Sequence, residues 1–331
     1  MAVSIEDIKK LRAMTGAGLA DVKKALTEAE GDFDKAKELL RERGLAIAAK
    51  RSDRETSNGC VLVKKVNDFA AIIALKCETD FVANGADFIK LTSDILDAAI
   101  AAKCHTLDEV KALALGESDV QAAVTHRSGI TGEKMELDGY NVLEGDNIEV
   151  YDHMNKHTLC TMVQLNENNE EAGHKVAMQV AAMRPVALDE SSVSEETKKT
   201  ELEVAVAKTK EELVEKAVNA ALKKAGINPA HVDSEEHIES NTKKGWLTPE
   251  QAEEARNIKK TVGEEKAASL NPTMIQNIAN GRLAKFFKEN CLVDQEFQFG
   301  DGDKQTVAQY LASQSKDLKI TAYKRFTLVA E

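Results

Sequence analysis

Twice along this chain, two β-rich runs flank a short polar turn and are followed by an amphipathic helical stretch, over residues 59–103 and again over 147–184. This weak internal repeat constrains the fold, because a lone hairpin is marginal in water and needs a helix or further strand against its apolar face. In the first copy, Cys60-Val61-Leu62-Val63 and the run Phe69 to Leu75 flank Asn67-Asp68, and Phe88, Leu91, Ile95 and Ala99 then recur at helical spacing. In the second, Ile148 to Met154 and Thr158 to Leu165 flank Asn155-Lys156, and Pro185 limits the helix that follows. The pattern predicts two related α+β subdomains with antiparallel sheets. Near the end, Ile320, Ala322, Lys324, Phe326 and Leu328 share one face of a strand, which is expected to complete a sheet begun far upstream.

Three short helices are expected ahead of these units, over residues 1–45. Ser4 and Asp7 form a capping box, and Ile5, Ile8 and Leu11 follow at helical spacing. Thr15-Gly16-Ala17-Gly18 breaks that helix, Leu19, Val22 and Leu26 line a second, and Gly31 ends it. Asp32 caps a third, which Gly44 is expected to stop. Helices this short fold only by sharing apolar faces, so they form a compact bundle. Residues 46–58, with Lys50, Arg51 and Arg54, read as a tether. The first core subdomain is expected over 59–146 and the second over 147–331, the latter including a helical insertion at about 207–270. Asn228-Pro229 and Lys244-Gly245 break that insertion, and Trp246 is read as a partner anchor or a plug in its own small core, with the plug preferred. No clean heptad crosses it.

Charge and cysteine usage bound the function. A net charge of −12 over 331 residues lacks the attraction that phosphate backbones require, so no direct nucleic-acid binding is expected. Five cysteines with no CxxC spacing suggest reduced thiols and a cytoplasmic protein. The start Met1-Ala2-Val3-Ser4-Ile5-Glu6 has neither a basic nor an apolar leader region, and no apolar run of about 18 residues could span a membrane. His153 and His157 lie close in sequence without a third ligand in sight, so no metal is expected. Paired glutamates such as Glu195-Glu196 and Glu211-Glu212 read as solvated helix faces. The sequence contains no GxxxxGK[ST], GxSxG or HExxH pattern, so neither nucleotide binding nor a hydrolytic centre is announced.

Four segments in order carry a resemblance: Met14-Thr15-Gly16-Ala17-Gly18-Leu19-Ala20-Asp21-Val22-Lys23-Lys24-Ala25-Leu26, Cys77-Glu78-Thr79-Asp80-Phe81-Val82-Ala83-Asn84, Val176-Ala177-Met178-Gln179-Val180-Ala181-Ala182, and Ile278-Ala279-Asn280-Gly281-Arg282-Leu283-Ala284-Lys285-Phe286-Phe287. Together they resemble the elongation factor Ts family. The resemblance implies an N-terminal bundle similar to the ubiquitin-associated three-helix fold, a core of two α+β subdomains, and no active site or cofactor of its own. It implies a guanine-nucleotide exchange factor whose partner is elongation factor Tu, GDP-bound and nucleotide-free. The implied partner-binding residues are Thr79, Asp80, Phe81, Val82 and Asn84 in the core, and Met14, Gly16, Gly18, Leu19 and Lys23 in the bundle. Gln179 joins them at a position where the family often has His, and Leu159 in a strand where it often has Ile-Gly against Leu159-Cys160 here. By this reading Phe81 wedges between partner helices near the bound Mg²⁺, Asp80 orients the loop or disturbs the metal's surroundings, and Thr79 and Asn84 fix the loop. Local chemistry alone allows plainer roles: Asp80 as a helix cap and Phe81 as a core residue. The competing reading of the whole chain is an interaction module on a similar scaffold without exchange activity.

Overall fold

The computed structural model describes residues 3–300 and 304–328. The chain opens with α1 (Ile5–Thr15), α2 (Leu19–Glu28) and α3 (Phe33–Ala49). The hairpin β1 (Asn58–Val66) and β2 (Phe69–Cys77) leads into the one-turn helix α4 (Asp80–Ala83), then α5 (Ala86–Ala101) and α6 (Leu107–Ala112). A minimal hairpin, β3 (Ala114–Leu115) with β4 (Ser118–Asp119), precedes α7 (Val120–Thr131) and β5 (Met135–Glu144). The second hairpin, β6 (Ile148–Asp152) and β7 (Leu159–Leu165), is followed by α8 (Glu170–Met183). Four long segments come next, α9 (Glu195–Lys224), α10 (Glu235–Lys243), α11 (Pro249–Ala268) and α12 (Pro272–Asn290), before α13 (Val307–Gln314) and β8 (Ile320–Thr327). Two compact units result: one runs to Leu188 and resumes at Gln295, and the other is Asp189–Asp294.

In the first unit, two antiparallel sheets, β1-β2-β5 and β6-β7-β8, stack face to face. Strand β2 is the middle strand of its sheet, and both of its faces are covered. Phe69, Ala71, Ile73, Leu75 and Cys77 pack with α5 residues Phe88, Ile95 and Ala99. The alternate residues Ala70, Ile72 and Ala74 pack against Ile148, Cys160 and Met162 of the second sheet. The period-2 alternation of a strand thus divides one apolar run between two cores. The buried Thr161 hydroxyl donates to the Ala177 carbonyl at 2.8 Å, tying β7 to α8. The closing strand does complete an upstream sheet: β8 pairs antiparallel with β7, and Phe326 lies opposite Cys160.

Strand β5 is absent from the sequence reading. Asp138-Gly139 resembles a turn, yet it lies mid-strand at a shift of register, where Ala74 pairs with Gly139 and Leu75 with Leu137, so Asp138 is the extra residue of a bulge. Gly139 is needed for proximity: a Cβ there would stand 2.2 Å from the Phe326 ring. Helix α13, opened by a Thr306–Gln309 capping box, also escaped the periodicity reading.

The bundle core includes Ile8, Leu11, Val22, Ala25, Leu26, Ala36 and Leu40, whereas Ile5 and Leu19, read on the same apolar faces, are exposed. Gly44 does not stop α3, which continues to Ala49. A glycine ends a helix when it turns left-handed; here its missing side chain serves a helix crossing instead. A Cβ on Gly129 of α7 would lie 2.3 Å from the Gly44 Cα. The roughly 1 kcal/mol that a mid-helix glycine costs is offset by this close packing of α3 on α7.

The second unit is helical. Helix α9 packs along α11 and α12, and a small core gathers Val218, Leu222, Ile227, Val232, Ile238, Leu247, Ala252 and Ala255. The expected breaks occur, with Pro229 opening a short 3₁₀ turn and Gly245 at φ +74°. Trp246 is not the plug: it is 61% exposed, beside His231 and beneath the Lys244 ammonium, and its neighbour Leu247 is buried in its place.

Gly139→Ala is expected to destabilise the full chain by about 1–3 kcal/mol through overpacking, as read by urea unfolding, and Phe326→Leu in that background is expected to recover part of the loss.

Candidate functional site

Strand β2 runs directly into the loop that carries the second sequence motif. Cys77 is its last buried residue; burial pushes the thiol up to about 12, so it stays neutral and donates to the Thr79 carbonyl at 3.2 Å. Thr79 is extended and caps α4, its hydroxyl accepting from the Val82 N–H. A helix of one turn cannot hold itself, so its order comes from what surrounds it. Val82 and Ala83 anchor it in the first core. At its rear, the Asn84 side chain donates to the Asp80 carbonyl at 2.9 Å. At its front, the Glu133 carboxylate accepts from the Thr79 N–H at 3.0 Å and from its hydroxyl at 2.6 Å.

Phe81 is thereby held outward and is 89% exposed. It is not a core residue. Asp80 is the first residue of α4 rather than its cap, and its side chain is exposed next to Phe81. Glu78 faces the other way. Its carboxylate accepts from the Lys134 N–H at 2.6 Å and pairs with Arg54 at 3.0 Å, and these bonds hold it below the ordinary glutamate range.

A cavity of about 330 Å³ opens beside the loop, with Asn58, Asp80, Asn84, Lys156 and His157 among its lining. It connects the motif to the β6–β7 turn, where Met154, Asn155 and His157 all have positive φ and Met154 is exposed. His157 does not pair with His153: its Nδ1 meets Asp152 at 2.5 Å, while His153 meets the Tyr151 hydroxyl at 3.1 Å. Among the described residues, no group of three His, Cys, Asp or Glu could hold a metal ion. Leu159 is half-buried at the start of β7, opposite Thr327. A cavity of about 750 Å³ between α9, α11 and α12 of the helical unit includes none of the sequence-predicted residues.

The bundle presents Met14 and Leu19, 54% and 57% exposed, on either side of its first turn. Gly16 makes that turn at φ +70°, which favours glycine, and donates to the Arg12 carbonyl. Gly18 is the extended cap of α2, and Lys23 is exposed on that helix. Gly16 also faces Ile130 and Arg127 of α7, and Arg127 pairs with Asp87 of α5 at 3.2 Å.

Gln179 is placed otherwise than the resemblance implied. It is wholly buried, its amide nitrogen donating to the Glu296 carbonyl at 3.1 Å and its oxygen accepting from the Gln298 N–H at 3.0 Å. Its side chain cannot touch a partner directly and instead holds the 295–298 segment. Glu133, which organises the loop, was missed because its partner lies 54 residues upstream and no local spacing reports it.

The turn thus holds an exposed aromatic beside an exposed carboxylate and is fixed from both ends. No helix among the described residues is long and apolar enough to cross a membrane.

A family model described as "Elongation factor TS" matches residues 78–330. The chain is 63% identical to an elongation factor Ts of Bacteroides fragilis over 332 residues, covering 100% of both chains. It is 61% identical to that of Bacteroides thetaiotaomicron and 39% identical to that of Porphyromonas gingivalis, with 100% of both chains covered in each case.

Stability contributed by Glu78 is complete above the ordinary glutamate value of 4.5 and is lost as pH falls through its lower folded value. The Lys134 amide resonance is therefore expected to titrate below pH 4.5, and Arg54→Ala is expected to move that midpoint upward.

Proposed function

The chain belongs to the elongation factor Ts family, with the role in translation elongation that this carries, and on that premise we propose that it binds elongation factor Tu carrying GDP and promotes release of the nucleotide. It acts on a GTPase partner and transforms no substrate itself. Its place of action is the cytoplasm, where protein synthesis occurs.

The observation that carries this reading is Phe81, 89% exposed on an ordered turn. An aromatic costs free energy when left in water, and a turn costs entropy to fix; a partner pocket offsets the first and benefits from the second. In the proposed complex, Phe81 enters an apolar pocket between helices of the partner near its Mg²⁺ site. Asp80 brings a carboxylate to the metal's surroundings, while Thr79 and Asn84 keep the turn in shape and Val82 roots it in the core. The bundle surface of Met14, Leu19 and Lys23, with Gly16 and Gly18 shaping its loop, adds a second contact. Leu159 adds a third from the other sheet, and Gln179 supports the complex from inside.

Exchange follows from linkage. A nucleotide in such a GTPase is held by phosphate-loop donors and Mg²⁺. A factor that binds the empty form better than the GDP form weakens GDP by the same factor by which GDP weakens it. A thousandfold mutual weakening corresponds to about 4 kcal/mol, within what one aromatic anchor and a few polar contacts supply.

The test is release of a fluorescent GDP analogue from elongation factor Tu. Catalytic amounts of the protein are expected to accelerate release strongly. Phe81→Ala is expected to slow it about thirtyfold, the equivalent of about 2 kcal/mol for a central anchor. Unaccelerated release by the folded protein would leave a binding scaffold without exchange activity.

A further inference from the structure

The sequence motif ends at Asn84, but the turn it forms is held by a residue far outside it. Glu133 lies between α7 and β5, and its own backbone is fixed on both sides: its N–H donates to the Thr131 hydroxyl at 3.3 Å, and its carbonyl accepts from the Ser128 hydroxyl. From that fixed base its two carboxylate oxygens take the N–H and the hydroxyl of Thr79 separately, at 3.0 and 2.6 Å. The Thr79 hydroxyl donates to Glu133 and accepts from Val82, so the clamp continues into the first turn of α4. The next residue, Lys134, gives its N–H to Glu78 at 2.6 Å, and the same short segment therefore grips both sides of the strand-to-helix turn.

We propose that Glu133 is a positioning residue for nucleotide exchange, fixing α4 so that Phe81 meets a partner already in its binding conformation. The inference rests on the exchange reading above. Glu133 does not touch the partner in this scheme; it acts through Thr79. Hydrogen bonds to a charged acceptor are stronger than neutral ones, and a single turn has no cooperative helix to replace them. Without the clamp, the cap of α4 frays, Phe81 samples other directions, and the partner must order it at each encounter. The position of Glu133 also joins the two proposed contact surfaces through one helix. Its neighbour α7 is crossed by α3 at Gly44 and Gly129 and faces the Gly16 turn through Ile130.

The test uses the full chain and release of a fluorescent GDP analogue from elongation factor Tu. Glu133→Ala is expected to slow release about tenfold, the scale of one or two lost charge-assisted hydrogen bonds. Glu133→Gln, which keeps one carbonyl acceptor, is expected to recover most of that rate. The decisive arm is the double variant: Glu133→Ala added to Phe81→Ala is expected to slow release no further, because the clamp works only through Phe81. A loss of the same factor in both backgrounds would make Glu133 merely structural and overturn the proposal, as would wild-type release by Glu133→Ala. Amide exchange at Val82 separates the clamp from the exchange reading. If the wild-type protein fails to accelerate release, the exchange reading falls; faster Val82 exchange in Glu133→Ala would still support the clamp, and unchanged exchange would remove it.

Discussion

From Phe69 to Leu75 every side chain of β2 is withdrawn from water, odd positions against α5 and even positions against the second sheet. This double burial organises the first unit. Two cores share one strand, one closed by α5 and one by the second sheet, and the small side chains Ala70 and Ala74 let the sheets meet at this strand. The same strand runs through Cys77 into Glu78 and Thr79. The loop that carries Phe81 therefore leaves from a fully buried strand, and the packing of the two cores reaches to within a few residues of it.

That placement explains how an apolar side chain can stand in solvent without folding back. Val82 and Ala83 are already packed beneath the loop, so α4 has no room to rotate Phe81 inward. Asn84 and Glu133 fix its two ends. Each bond is modest by itself, and together they select one direction for one ring. The opposite treatment of Glu78, turned toward Arg54 and Lys134, shows how two adjacent segments of the motif divide the work between anchoring and presenting.

Much of this was legible in the residues. The repeated hairpin and helix, the α+β class, the capping residues Ser4 and Asp32, the breaks at Pro229 and Gly245 and the closing strand all rest on local chemistry, and local chemistry decides them. Apart from Trp246, whose place in the core its neighbour Leu247 takes, the failures share a different cause. Gly139 stands mid-strand because Phe326, nearly two hundred residues later, needs the space of its side chain. Gly44 continues its helix because Gly129 crosses it, Gln179 is buried because the 295–298 segment returns over it, and Glu133 is needed because Thr79 is within reach. In each case the deciding partner is remote in sequence, where periodicity and spacing carry no information. Whether Phe81 belonged to the core was likewise open from local pattern, and its exposure excludes that reading.

The buried amide of Gln179 has one more consequence, in the polymer physics of the chain. The first unit releases the chain at Leu188 and recovers it at Gln295, and the return is clasped: Gln179 binds Glu296 and Gln298, and the Gln295 side chain donates to the Met183 carbonyl at 3.1 Å. With both ends of an excursion fixed this way, the entropy of closing it grows only with the logarithm of its length, about 0.6 kcal/mol per doubling. A clasp of that kind turns the intervening segment into a part that can lengthen, shorten or be exchanged over evolutionary time while the sheets and the Phe81 loop stay as they are.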